Sequence, residues 1–165
     1  MIEHDAVDAI VQDWQLERPE LDVSAKHITG RIVRLAALIE EAYDVSYTQV
    51  GISRSDFGIL SPLRRAGHPY ELSPTEIARH RMITSGGLTP ALDRLERLGL
   101  IERFANEDDR RSRLVRLTDA GLSTIDRAIE LHSADEHRLI ADLDEASRTQ
   151  LVDGLRRMLL SIEPI

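Results

Sequence analysis

The hydrophobic period of this chain changes twice within one short stretch, and that change constrains the fold more than any other feature. Leu88, Leu92, Leu95 and Leu98 recur at helical spacing, and Gly99 supplies a C-terminal stop. Leu100-Ile101-Glu102-Arg103-Phe104 and Arg113-Leu114-Val115-Arg116-Leu117 then alternate as two strands do, joined by a polar turn from Ala105 to Ser112. At Thr118 the helical period returns, with Thr118 as the cap and Leu122, Ile125, Ile129, Leu139 and Ile140 as the stripe. A chain patterned this way is mainly α with one small β-hairpin, an α+β architecture.

Upstream, Val7, Ile10, Val11 and Trp14 predict a first helix closed by Pro19, and Ile28, Ile32, Leu35, Ile39 and Ala42 predict a longer second one. Gly51 interrupts that pattern. Ser53-Arg54-Ser55-Asp56 reads as a capping box ahead of Phe57, Leu60 and Leu63. Ser73-Pro74-Thr75-Glu76 reads as another, with Pro at the first helical position and Ile77 on the buried face. After the turn Arg81-Met82-Ile83, Thr84 or Ser85 is the expected cap of the helix that carries Leu88. Ser147-Arg148-Thr149-Gln150 is expected to open a final helix with Leu151, Leu155, Met158, Leu159 and Ile162. Helix, turn, helix and hairpin in that order make the winged helix-turn-helix plan.

Composition narrows the partners. There is no apolar run long enough to cross a membrane, no secretory leader pattern near Met1 and no cysteine, which predicts a cytoplasmic protein without disulfide or thiolate metal site. The net charge is −8, yet the Arg94–Arg116 stretch holds seven arginines against five acids. Distribution outweighs the sum where DNA is concerned. The second helix of such a pair fits the major groove, and its N-terminal end presents donors to phosphate. Thr84, Ser85, Gly86, Gly87 and Thr89 lie at that end, with Arg94 one turn beyond and Thr75 on the preceding helix. Arg110, Arg111 and Arg113 sit at the hairpin tip, where long cations suit a minor groove. These residues and Asp109 are the candidate DNA contacts, and the expected partner is double-stranded operator DNA.

Asp109-x-Arg111 followed by Leu117-Thr118-Asp119-Ala120-Gly121 resembles the wing signature of the multiple-antibiotic-resistance regulator (MarR) family. Leu72-Ser73-Pro74-Thr75-Glu76-Ile77-Ala78 and Leu92-Asp93-Arg94-Leu95-Glu96-x-x-Gly99-Leu100-Ile101 match the family in order and spacing. The resemblance implies a homodimer whose N- and C-terminal helices interleave, bound to a pseudo-palindromic operator. It implies a division into dimerisation helices over 1–50, a DNA-binding lobe over 51–118 and further dimerisation helices over 119–165. It also implies that Asp109 pairs with an arginine to hold the wing while Arg111 or Arg110 enters the minor groove. No cofactor and no metal is expected.

The first helix with Trp14, Glu17-Arg18-Pro19-Glu20-Leu21-Asp22 and Gly30-Arg31-x-x-Arg34-Leu35 resemble the PecS-like, urate-responsive subgroup, as do Arg64-Arg65-Ala66-Gly67-x-Pro69-Tyr70 and Thr84-Ser85-Gly86-Gly87. That subgroup implies a purine-like anion held by a Trp of the first helix, an Asp after an aromatic residue and an Arg of the recognition helix. Only Trp14 is kept here; the other two positions hold Gly58 and Ala91. Losing a charge-assisted bond of roughly 1.5–3 kcal/mol argues against urate. The expected effector is a small organic anion near Trp14, Arg31 and Arg34, unless the two arginines pair with Glu17, Glu20 or Asp22. Its expected effect is to relieve repression by changing the spacing of the two recognition helices.

Pro90 adds a structural expectation. Inside a helix it costs about 3 kcal/mol, and each preceding glycine roughly 1 kcal/mol against alanine. The recognition helix is therefore expected to start late, near Gly87, or to bend at Pro90. Two other functions fit less well. His132, Glu136 and His137 could serve a metal sensor on the same fold. An enzyme would need a nucleophile elbow, phosphate loop or His-Glu-x-x-His, and the sequence carries none.

Overall fold

The computed structural model describes residues 4–80, 87–105 and 113–163. Thr84, Ser85 and Gly86, and Asp109, Arg110 and Arg111 of the wing, lie outside the described residues. The chain divides into two compact units, Met1–Tyr43 and Asp44–Ile165.

The first unit holds α1 (Ala6–Glu17) and most of α2 (Lys26–Gln49). Asp5 caps α1: its carboxylate accepts from the Val7 and Asp8 amides, and the Asp8 carboxylate accepts from the Asp5 amide. Val7, Val11 and Val23 form the small core of this unit. Gly30 permits the helices' close approach, since a Cβ there would lie 2.9 Å from the Val7 side chain. Arg31 clamps the pair, donating to Asp5 at 2.9 Å and to Asp8 at 2.7 Å, with a third bond to the His27 carbonyl. Hydrogen bonding to Arg31 holds the Asp8 carboxyl below its ordinary range. Arg31 thus pairs with neither Glu17, Glu20 nor Asp22: α1 turns its N-terminal acids, rather than the acids of the following loop, toward this guanidinium.

The second unit contains the end of α2, then α3 (Arg54–Arg65), β1 (Glu71–Leu72), α4 (Pro74–His80), α5 (Leu88–Arg97), β2 (Ile101–Ala105), β3 (Arg113–Leu117), α6 (Asp119–Leu139) and α7 (Glu145–Ile162). Ser53 and Ser73 cap α3 and α4 through reciprocal bonds with Asp56 and Glu76, as their spacing predicts. The hairpin strands pair antiparallel from Ile101↔Leu117 to Ala105↔Arg113. A third strand not foreseen from the sequence, β1, pairs on the other side of β3, giving the order β1-β3-β2. Two residues are too few for any alternation to register. Final helix α7 starts earlier than expected. Asp144, not Ser147, is its cap, and the Ser147 amide donates to Asp144.

The core of this unit gathers Ile59, Leu60 and Leu63 of α3, Ile77 of α4, Leu92 and Leu95 of α5, Ile101 and Val115 of the sheet, and Ile125 and Ala128 of α6, all buried. Beside it Tyr47, Phe57 and His132 stack, with Tyr47 and Phe57 ring centroids 4.5 Å apart. Both ring nitrogens of His132 face side chains, Nδ1 the Tyr47 hydroxyl at 2.7 Å and Nε2 Glu136 at 3.2 Å. His137 turns to the Ser133 carbonyl instead. His132, Glu136 and His137, the residues of the less favoured metal-sensor reading, therefore do not converge, and among the described residues no group of three His, Cys, Asp or Glu is placed to hold a metal ion.

Candidate nucleic-acid interface

Helix α5 begins late. Its cap position is Gly87, in the left-handed region at φ +70°, a residue with no side chain to cap the first amides. Glycine occupies that conformation without the strain a Cβ brings. Pro90 is the third residue of the helix, so its missing N–H falls in the first turn, where no intrahelical bond is lost. The expectation of a late start holds, and the cap is Gly87 rather than Thr84 or Ser85. Leu92 and Leu95 face the core, leaving Gly87, Thr89, Pro90, Asp93 and Arg97 exposed.

The other end of α5 is tightly bound. Arg94 donates to the buried carboxylate of Asp56, which also accepts from the Ser53 amide at 2.8 Å and hydroxyl at 2.6 Å. Arg94 is thus half-exposed and ion-paired, with its guanidinium drawn back onto α3. Arg103 of β2 reaches across to Asp93 at 2.7 Å and to Glu96, holding the Glu96 carboxyl below its ordinary range by hydrogen bonding. Neither Asp56 as counter-ion nor Arg103 as clamp is visible in the sequence. Asp56 reads there only as half of a capping box.

Past α5 the helix stop and the wing base form one joint. Gly99 takes φ +70° after α5. The Thr118 hydroxyl donates to the Gly99 carbonyl at 2.6 Å and accepts from the Gly121 amide at 3.0 Å, while the Thr118 amide donates to the Leu100 carbonyl at 3.2 Å. A Cβ on Gly121 would come within 1.9 Å of the Leu100 carbonyl oxygen. The Leu117-to-Gly121 motif therefore has a structural meaning: it fits the first turn of α6 against the backbone that follows α5. On the sheet, Arg116 lies 4.4 Å over the Phe104 ring and donates to Glu71 at 2.6 Å, tying β1, β2 and β3 together. Arg113 is exposed at the start of β3, and Thr75 is exposed on α4.

The candidate ligand residues are separated by the geometry. Arg31 is committed to Asp5 and Asp8. Trp14 is 42 % exposed, with the Lys26 ammonium 5.7 Å from its ring centroid. Arg34 and Lys26 instead border an open groove of about 530 Å³ between α1 and α2, walled by Ala6, Val7, Ile10, Val33 and Ala37.

A helix pair followed by a braced three-stranded sheet defines a winged helix-turn-helix protein. Residues 50–112 match the model of the MarR family. The chain is 40 % identical over 145 residues to the HTH-type transcriptional regulator PecS of Dickeya dadantii (strain 3937), covering 88 % of this chain and 87 % of that one. It is 32 % identical over 110 residues to the multiple antibiotic resistance protein MarR of Escherichia coli (strain K12), covering 66 % of this chain and 74 % of that protein. A crystal structure of a mutant E. coli MarR complexed with operator DNA superposes with a TM-score of 0.69 at 25 % identity, over 84 % of this chain and 99 % of that one. The chain belongs to the MarR family. It is a DNA-binding transcriptional regulator, not an enzyme, and none of its described helices is long and apolar enough to cross a membrane.

Proposed function

We propose that this regulator acts in the cytoplasm as a homodimeric repressor on a pseudo-palindromic operator and is released by a small organic anion. The observation that carries the dimer is α7. This helix has no buried residue, yet it exposes Leu151, Val152, Leu155, Leu159, Leu160 and Ile162. In the first unit Ile10, Ile28, Val33, Leu35 and Leu38 are exposed as well. Apolar surface on that scale calls for a second copy. The proposed division of labour gives residues 1–50 and 119–165 to the interleaved dimer layer and 51–118 to DNA.

On the operator, Gly87 and Thr89 at the start of α5 meet the major groove, together with Thr84, Ser85 and Gly86 of the preceding segment and Thr75 from α4. Arg94 acts by fixing the helix through Asp56. The wing residues Arg110, Arg111 and Arg113 reach the minor groove, with Asp109 holding the wing. The anion is assigned to the groove bordered by Lys26 and Arg34, where apolar walls and two cations suit an aromatic or aliphatic carboxylate; Trp14, whose ring carries Lys26, would report on it, and Arg31 keeps the groove's helices together. An organohalide-sensing regulator crystallised with 2,4-dichlorophenol shares this fold, with a TM-score of 0.73 at 20 % identity.

Sedimentation of the purified protein and selection from a randomised duplex pool test this reading. A dimer that enriches an inverted repeat supports it. A monomer, or a pool that stays random, overturns it. For the effector, a carboxylate panel is expected to change Trp14 fluorescence and free the duplex, and Arg34→Ala to abolish both effects.

A further inference from the structure

We infer that α5 reads its operator through thymine methyl groups, with Thr89 and Pro90 as the specificity-determining residues. The inference rests on the reading above that α5 enters the major groove, and it concerns what the helix can recognise once there.

The side chains that read base edges by paired hydrogen bonds are Arg or Lys for guanine and Asn or Gln for adenine. Among the described residues, the exposed face of α5 offers none of them before Arg97, in the last turn. Arg94 is drawn back onto Asp56. Asp93, which could accept from a cytosine amine, is held by Arg103 at 2.7 Å. What remains at the leading end is the Thr89 side chain and the Pro90 ring, both exposed. Pro90 has no N–H to offer and presents only methylene groups. Gly87 leaves that ring uncovered, since a Cβ there would sit 3.7 Å from both Cγ and Cδ of Pro90. Together Gly87, Thr89 and Pro90 make a small apolar surface at the tip of the helix. The apolar feature unique to one base in the major groove is the thymine C5-methyl. Burying one methyl against such a surface changes affinity by about three- to tenfold.

The test uses the duplex enriched from the randomised pool by the full-length protein. Each thymine is replaced singly by uracil, which deletes only the methyl group. The expected result is a position in each half-site where uracil weakens wild-type binding about three- to tenfold. Pro90→Ser is expected to reduce that penalty below about twofold while leaving other thymines unaffected. Uracil tolerated at every position, or an unchanged penalty in Pro90→Ser and Pro90→Ala alike, overturns the inference and leaves the regulator reading intact. A pool that yields no enriched sequence overturns both. If neither variant folds, the uracil series on the wild-type protein decides by itself.

Discussion

The two ends of α5 are built on opposite principles. At its C-terminal end a set of paired groups holds it, Arg94 with Asp56, Asp93 and Glu96 with Arg103, and Gly99 and Gly121 with Thr118, while Arg97 stays exposed. At its N-terminal end the cap is a glycine without a side-chain bond, followed by exposed Thr89 and Pro90. A helix anchored at one end tolerates change at the other without losing its place. The contrast separates residues that hold the helix from residues free to meet DNA.

The largest effect is expected at the anchored end. Gly121→Ala forces a Cβ into the Leu100 carbonyl and should cost about 3 kcal/mol in chemical denaturation. A loss below about 1 kcal/mol would mean that the joint gives way easily. Arg94→Met is expected to cost about 2 kcal/mol, because it leaves a buried carboxylate short of its cation. Asp56→Asn combined with Arg94→Met should recover part of that loss in a double-mutant cycle. At the bare end, Gly87→Ala should cost only about 1 kcal/mol, the strain of a Cβ at positive φ. A larger loss there would erase the contrast between the ends.

The smallest effect is electrostatic. Glu96 beside Arg103, and Asp44 beside Arg54, have carboxyls held below their ordinary range by those guanidiniums. A depressed folded-state pKa contributes stability above the unfolded value, about pH 4, and that stability is lost as pH falls through the folded value. Both pairs are partly exposed and screened by solvent, so the thermal midpoint should fall only modestly from these pairs on acidification from about pH 6 to about pH 3. Arg103→Met should flatten that decline, and Thr89→Ala should not.

Much of this was legible in the sequence because it is local. Ser53, Ser73 and Thr118 announce their helices by side chains that bond amides three residues on, and Gly99 by the conformation only glycine takes cheaply. The hairpin strands were readable because each is long enough to alternate. What escaped depends on distance along the chain. β1 exists only because β3 offers it a partner, and Arg94 turns inward only because Asp56 lies buried on another helix. Asp144 and Ser147 are both good caps by residue type, and the geometry that separates them is the turn after α6. The likeness to PecS-type regulators points to α5 as the recognition helix, and Pro90 and Ala91 are the positions at which a different reading surface is expected.

Footprinting of the full-length protein on its selected duplex tests most directly whether two copies grip the operator symmetrically. Two protected tracts related by a two-fold axis are expected, with their major-groove centres about one helical turn apart. A single unpaired tract, or even protection along the whole duplex, would contradict that arrangement.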